Sequence, residues 1–158
     1  MDFVIREATL QDLKAIQDLN LALFKKEHEE FNETLDCSWT FSEEGEEYFK
    51  KHIAEDDCCV FLAQIDQKIV GYLAGGILDE TEKFRKLPIS AELENMFIIH
   101  ECRNMGIGLK LYQSFAEWSK AKNAGMLRVV ATAQNTPGID FYRKNGFTDT
   151  VLVLERNI

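Results

Sequence analysis

Arg103-Asn104-Met105-Gly106-Ile107-Gly108 stands at a junction in the chain. Before it runs Met96-Phe97-Ile98-Ile99, apolar and strand-like; after it comes Leu109-Lys110-Leu111-Tyr112, which opens a helical pattern. The two glycines let a ligand approach the backbone closely, because neither carries a Cβ. A helix that starts here aims its unpaired N–H groups, and the positive end of its dipole, at whatever occupies the turn. Arg103 adds a full cation. The guest that suits such a turn is a phosphate or pyrophosphate.

Spacing removes two nucleotide folds. A dinucleotide-binding turn wants a third glycine at position 111, where Leu111 stands, and wants the motif after the first strand, whereas here it follows the fourth. The pattern Gly-x-x-x-x-Gly-Lys-Ser/Thr of phosphate loops is absent.

Outward from the turn, the periodicity predicts a single domain over residues 1–158 with the order β-α-α-β-β-β-α-β-α-β. A strand is expected over Asp2 to Glu7. A helix follows from Thr9, with Asp12 three residues on and Leu13, Ile16, Leu19, Leu23 and Phe24 along one face. The stretch Glu27 to Cys37 is read as irregular, and a second helix starts near Ser42 with Thr40 or Ser42 as its cap. Cys58 to Ala63 and Lys68 to Ala74 form a hairpin about Asp66-Gln67-Lys68. Asp79 to Lys86 is a charged loop closed by Pro88. Ala91 to Ile99 is the next strand, Gly106 to about Lys122 a long helix stopped at Gly125, and Leu127 to Ala133 a further strand. Thr136 caps a last helix that begins at Pro137 and stops at Asn145-Gly146. Val151 to Leu154 is the final strand. The fold class is α/β: one mixed sheet with an antiparallel front half.

At 158 residues, with 46% apolar and 28% charged residues, roughly 70% of the unfolded surface is buried on folding and a full core is available. No apolar run nears the roughly 20 residues that span a bilayer, and the first residues lack the pattern of a secretory leader, so a cytoplasmic protein without a membrane partner is expected. The net charge of −9 opposes nucleic acid as a partner. Between Glu27 and Asp57 lie twelve acidic residues against Lys50 and Lys51, so this segment carries the whole net charge. It reads either as a solvated face or as a negative lip for cationic substrates. Cys58 and Cys59 are adjacent, Cys37 and Cys102 stand alone, and His28, His52 and His100 are scattered, so neither a disulfide framework nor a metal site is expected. Cys102, beside Arg103 near a helix start, is either a reactive thiol or a filler.

Arg-x-x-Gly-x-Gly after a strand resembles the turn with which the GNAT acetyltransferases hold the pyrophosphate of acetyl-CoA. A second stretch, Asn135 with Phe141-Tyr142-Arg143-Lys144-Asn145-Gly146-Phe147, is similar to that superfamily's Asn…Phe-Tyr-x-x-x-Gly-Phe signature. The resemblance extends to the order of elements. It implies central strands that splay apart, with Met96-Phe97-Ile98 leaving Ala131-Thr132-Ala133, and a pantetheine arm bonded to the freed backbone. The Ile98 N–H would face the thioester carbonyl. The backbone of Arg103, Asn104, Met105, Gly106, Ile107 and Gly108 would hold the pyrophosphate. Tyr142 would protonate the departing thiolate, unless it merely packs beside Phe141, and Asn135 would bond the cofactor or fix the helix start.

Amine attack on a thioester also needs a neutral amine, hence a base. Glu92 and Glu94 are two apart on one strand and so share a face. Glu92 matches the position used by histone-type relatives. Leu93-Glu94-Asn95-Met96-Phe97 resembles the run that carries the acid in diamine acetyltransferases. The resemblance therefore implies an acetyl-CoA-dependent, metal-free N-acetyltransferase acting on a primary amine of a cationic small molecule. A protein or peptide N-acetyltransferase and a non-catalytic acyl-CoA sensor are the alternatives. Only eleven residues follow Phe147, too few for the long terminal hairpin loop that covers the acceptor in relatives. Either the site is open, which suits a peptide end, or a second subunit in a homodimer closes it.

Overall fold

In the computed structural model, which describes residues 2–78 and 84–158, five strands form one mixed sheet. They are β1 (Val4–Glu7), β2 (Cys58–Ile65), β3 (Lys68–Ile77), β4 (Ser90–Ile98) and β5 (Met126–Val129), adjacent in that order. The first four pair antiparallel; β5 runs parallel to β4. Four helices cover the sheet: α1 (Leu13–Glu30), α2 (Glu43–Ala54), α3 (Ile107–Ala121) and α4 (Thr136–Lys144).

The central strands are buried on both faces, as their near-continuous apolar runs require. Alternate residues of β2 and β3 serve two cores. Phe61, Ala63 and Leu73 meet Ile107, Leu111 and Phe115 of α3. Val60, Leu62 and Tyr72 meet Ile16 and Leu19 of α1 and Phe49 of α2. The expected apolar stripes of α1 and α3 are those that pack. Between the helices and the sheet lies a buried polar chain. Gln17 Nε2 donates to the Thr40 carbonyl (3.1 Å), Thr40 Oγ1 to Asn20 Oδ1 (2.6 Å), and Asn20 Nδ2 to the Tyr72 hydroxyl (2.9 Å). Each group finds a partner, as burial demands.

The helix starts follow side-chain chemistry. The Thr9 N–H donates to Asp12 Oδ2 (2.8 Å), and Arg6 clamps the same carboxylate from β1. The Ser42 hydroxyl accepts the Gly45 N–H and caps α2.

Several boundaries differ from the sequence reading. α1 continues to Glu30, into the first residues of the stretch Glu27 to Cys37 expected to be irregular, the rest of which forms no helix. α3 ends at Ala121, four residues before Gly125; Asn123, two residues past its end, takes φ 62° and supplies the left-handed residue that stops a helix. Asn135, not Thr136, caps α4, its Oδ1 accepting the Gly138 N–H at 3.1 Å. β5 stops at Val129 instead of reaching Ala133, and Val151 to Leu154 forms no strand. Those four residues are 68–83% exposed. They have the composition of a strand, but composition names no partner, and a strand exists only by pairing. Of the charged loop expected from Asp79 to Lys86, residues 79–83 lie outside the described residues.

One irregularity positions the site. Ala74 pairs with Asn95, but Gly75 pairs with Leu93, so Glu94 is an extra residue in β4. Such a bulge bends its strand and re-aims side chains. Before it, Ala91 and Leu93 face the α3 core; after it, Met96 and Ile98 do, while Phe97 turns to the α1/α2 core.

Candidate active site

β4 and β5 are paired only from Ser90↔Met126 to Leu93↔Val129. Past the bulge the two chains separate, and a cavity of about 360 Å³ opens between them. Its walls are Leu93 to Ile98, Val129 to Thr132, the start and inner face of α4, and Leu23, Lys26 and Glu27 of α1. The backbone of β4 faces this gap with unused groups. The Ile99 N–H donates to the Val70 carbonyl on the β3 side at 3.0 Å. Strand N–H groups alternate in direction, so that of Ile98 points the other way, into the opening.

At one end of the gap lies the glycine turn. Asn104 (φ 61°) and Gly106 (φ 81°) are both left-handed. A Cβ on Gly106 would meet nothing within 4 Å, so this glycine is needed for its backbone angle rather than for space. Gly108 is the reverse: a Cβ there would come within 3.3 Å of Ile98 Cδ1 and narrow the opening. Among the described residues the N–H groups of Asn104, Met105 and Gly106 make no backbone hydrogen bond. The helical ladder of α3 begins with Lys110 N–H to the Gly106 carbonyl, which leaves the first N–H groups of the helix unpaired as well. The turn thus presents a row of donors at a helix N-terminus, an arrangement suited to a phosphate.

Arg103 does not add its charge there freely. Its Nε donates to the Ile98 carbonyl (3.0 Å), and the guanidinium lies over the Phe97 ring at 5.5 Å. It clasps the end of β4 at the cavity wall. The Ile107 side chain is core, so only its backbone can serve a ligand.

Tyr142 lines the cavity from α4, held by ring contacts to Phe141 (5.4 Å) and Phe147 (5.6 Å). Burial, with a smaller contribution from Glu27, pushes its phenol up to about 12. Its hydroxyl makes no hydrogen bond among the described residues. Asn135 also lines the cavity, with its oxygen committed to the cap.

The two strand glutamates have separate surroundings. Glu92 pairs with Arg128 Nε of β5 at 3.3 Å and does not line the cavity. Burial raises its pKa, Arg128 opposes that, and Glu94 adds to it. Glu94 does line the cavity. The Tyr48 hydroxyl donates to its Oε2, Asn95 Nδ2 donates to the Tyr48 oxygen (2.9 Å), and His52 Nε2 lies 3.1 Å from the same Oε2. Burial opposes ionisation of Glu94, but His52 and Tyr48 together hold its carboxyl below the usual range.

Of the acidic segment, Glu27 alone lines the cavity. Burial raises its pKa, and the neighbouring Lys26 is drawn to Glu30 at 2.6 Å. Several of the others serve local needs. Asp36 accepts from Ser38, Glu43 and Glu44 favour the positive end of α2, Glu46 pairs with Lys50, and Asp56 with Lys122. The broad negative lip is therefore reduced to Glu27 and Glu94. Cys102 sits partly buried beside the α3 core, away from the cavity walls. Among the described residues no three His, Cys, Asp or Glu side chains are placed to hold a metal ion, and no helix is long and apolar enough to cross a membrane.

Sequence reasoning did not single out Tyr48, His52, Asn95 or Glu27. Tyr48 and His52, four apart, stand on one face of α2, which is a readable signal; their meeting with Glu94 across the fold is not.

A model of the acetyltransferase (GNAT) family matches residues 21–147, from the middle of α1 to the end of the α4 signature. The chain belongs to this family. An N-alpha-acetyltransferase of Sulfurisphaera tokodaii is 26% identical over 106 residues, covering 65% of this chain and 64% of that protein. This chain spans 64% and 46% of the lengths of two curated relatives it matches. The tetramutant of BH1408 protein from Bacillus halodurans shares the fold with a TM-score of 0.86 at 16% identity, over 98% of this chain and 99% of that one. The aminoglycoside N-acetyltransferase AAC(6')-Iy, solved with a bisubstrate analog of CoA and acetylneamine, has a TM-score of 0.79 at 16% identity, over 100% and 99%. GNAT membership accounts for the element order, the splayed strands and the glycine turn together. The absent final strand leaves that likeness intact.

Proposed function

We propose that this protein is an acetyl-CoA-dependent N-acetyltransferase whose acceptor is a primary amine of a cationic small molecule. The observation that carries this reading is the gap between β4 and the segment after β5. It is a backbone-lined slot that ends in unpaired N–H groups and is flanked by a phenol and a carboxylate. The residues present fit the donor. Turn N–H groups from Asn104 to Gly108 donate to the pyrophosphate, unpaired groups of Met96 to Ile98 hold an amide-bearing arm, and no metal is called for.

Each side chain then has a task. The Ile98 N–H supports negative charge on the thioester oxygen, as a preorganised backbone donor does. Glu94 takes a proton from the acceptor ammonium, directly or through water, because an ammonium has no lone pair with which to attack. Tyr142 donates toward the departing sulfur. Glu27 and Glu94 attract a cation to a cavity where Lys26 is engaged elsewhere. Glu92, tied to Arg128 outside the cavity, supports the local charge balance.

A second reading, transfer to the α-amine of a peptide or protein, is favoured by the likeness to an N-alpha-acetyltransferase. One experiment addresses both. Purified full-length protein is given acetyl-CoA with a panel of aminoglycosides, diamines and peptides with free α-amines, and released thiol is measured. Turnover is expected with small cationic amines. Peptides as the best acceptors would favour the second reading. Absence of both thiol release and acetyl-CoA binding would remove the enzyme assignment.

A further inference from the structure

We propose that His52 and Glu94 share a single proton and work as one proton-accepting unit, with His52 the positioning residue that receives through Glu94 the proton lost by the amine. The catalytic half of this proposal rests on the acetyltransferase reading; the shared proton does not.

Hydrogen-bond bookkeeping leads to the shared proton. His52 Nδ1 lies 2.8 Å from the Tyr48 carbonyl. A carbonyl only accepts, so Nδ1 carries a hydrogen in either charge state of the ring. In neutral His52, Nε2 is then a lone pair. It is buried, no hydrogen bond in the described structure satisfies it, and it stands 3.1 Å from Oε2 of Glu94. A carboxylate oxygen is also an acceptor. With a neutral ring and an ionised Glu94, two lone pairs face each other beside a side chain only 7% exposed. One proton between them removes the conflict, either as imidazolium against carboxylate or as imidazole against carboxylic acid. Two such groups titrate as a pair rather than separately.

The same geometry gives the direction of the chemistry. Repulsion destabilises the unit without its shared proton, so the pair is a stronger base than a lone carboxylate. In the ready form His52 is neutral and Glu94 ionised. The acceptor N–H bond breaks, its electron pair stays on nitrogen, and an O–H bond forms on Glu94. The proton then passes to Nε2, which restores the carboxylate opposite an imidazolium. The amine attacks, its second proton leaves with the thiol, and the unit releases its proton to water. Tyr48 donates to Oε2 and accepts from Asn95, fixing the carboxylate while leaving Oε1 without a protein partner among the described residues.

The neighbouring thiols and phenols do not titrate near neutrality. On α2 the pair is faced by Tyr48 and Lys51, on β2 by Cys58 and Cys59, on β3 by Tyr72, and on β4 by Glu92. Glu27 of α1 lines the same cavity, and before α1 Asp12 is tied to Arg6. Burial raises both thiols and both phenols, Cys58 to about 12, so they stay protonated.

The test is nuclear magnetic resonance of the ¹⁵N-labelled full chain, without ligand, from pH 5 to 9. Long-range proton–nitrogen correlations report each ring nitrogen of His52. Nδ1 is expected to keep its hydrogen throughout, while Nε2 loses its proton in one step. In Glu94→Gln that step is expected about one pH unit or more lower. A step unmoved by Glu94→Gln, or a neutral ring protonated on Nε2, overturns the shared proton. For the catalytic half, the ascending limb of kcat/KM against pH is expected about one unit or more lower in His52→Gln. An unmoved limb overturns that half, even if stability falls. Should His52→Gln fail to fold, His52→Asn replaces it, and the Glu94→Gln spectra, which keep the histidine, still decide the first half. A shared proton without acetyl transfer to any amine would leave the pair standing and sink the function. Transfer with an unshared proton would do the reverse.

Discussion

Replacing Tyr142 by phenylalanine separates chemistry from packing at the cavity. The ring contacts to Phe141 and Phe147 survive the change, and the lost hydroxyl has no hydrogen-bond partner among the described residues. The fold should therefore lose less than about 0.5 kcal/mol, as for a change away from packed or bonded atoms. The catalytic cost follows from the acidity of the phenol. Burial lifts it to about 12, while a thiol lies near 8.5. Complete transfer of the proton to the thiolate is then uphill by roughly 5 kcal/mol, at about 1.4 kcal/mol per unit of pKa difference. On the proposed function, Tyr142 would accordingly serve as a hydrogen-bond donor that steadies the leaving thiolate. A hydrogen bond to a charged group is worth about 1.5–3 kcal/mol, so kcat should fall roughly 10- to 150-fold. Steady-state kinetics with varied acetyl-CoA, beside a calorimetric Kd for the donor, provides the assay. Expected is a fall in kcat with the donor Kd within about threefold. The pH profile should also show no loss attributable to Tyr142 below about pH 10, since a raised pKa keeps the phenol protonated. An unchanged kcat, or a donor Kd that worsens in proportion to the activity lost, would refute the role.

Glu94→Gln should lower kcat/KM by roughly 10²–10⁴-fold, the usual contribution of a positioned base, whereas Glu92→Gln should stay within about fivefold because Glu92 faces Arg128 outside the cavity. Comparable losses in the two variants would return Glu92 to candidacy. Tyr72→Phe leaves the buried Asn20 amide without its acceptor and should cost about 1–3 kcal/mol, seen as a Tm lower by roughly 2–12 °C; an unchanged Tm would mean the chain from Gln17 to Tyr72 contributes nothing. Arg6 holds Asp12 well below the usual carboxylate range, so this pair stabilises the protein fully above about pH 4 and progressively less as pH falls from there through the lowered native pKa. With Arg6 37% exposed, solvent limits the gain to about 1 kcal/mol, and Asp12→Asn should lower Tm by about 2–4 °C at pH 7 and by less near pH 2. Equal deficits at both pH values would contradict the linkage.

Local rules made much of this molecule legible. The 3.6-residue spacing of Ile16 and Leu19, or of Leu111 and Phe115, marks the faces that pack, and the alternation in β2 and β3 marks a sheet buried on both sides. The two glycines of the turn announce a backbone open to close approach, and Gly106 takes the left-handed angle. Illegible were the features decided by pairing. Leu127 to Ala133 and Val151 to Leu154 carry equal apolar promise, yet only Met126 to Val129 find a neighbour. The bulge at Glu94 is a register event between β3 and β4, and no composition signals it. It is also what aims Glu94 and Asn95 together at Tyr48. His52 looked like one of three unrelated histidines because its partner lies more than forty positions away.

The early end of the β4–β5 ladder has a consequence for the lifetime of the protein. A sheet left unzipped beside its last strand carries donors and acceptors that water must satisfy until something else does. On the proposed function, a donor molecule lodged there would be a missing rung as much as a reactant, and the protein it completed would resist unfolding by mass action. At a concentration one hundred times its Kd such a ligand adds about 2.7 kcal/mol. Supply of the acyl donor would thus set how long the enzyme persists as well as how fast it turns over, with slowed amide exchange along Met96 to Ile98 as the first sign.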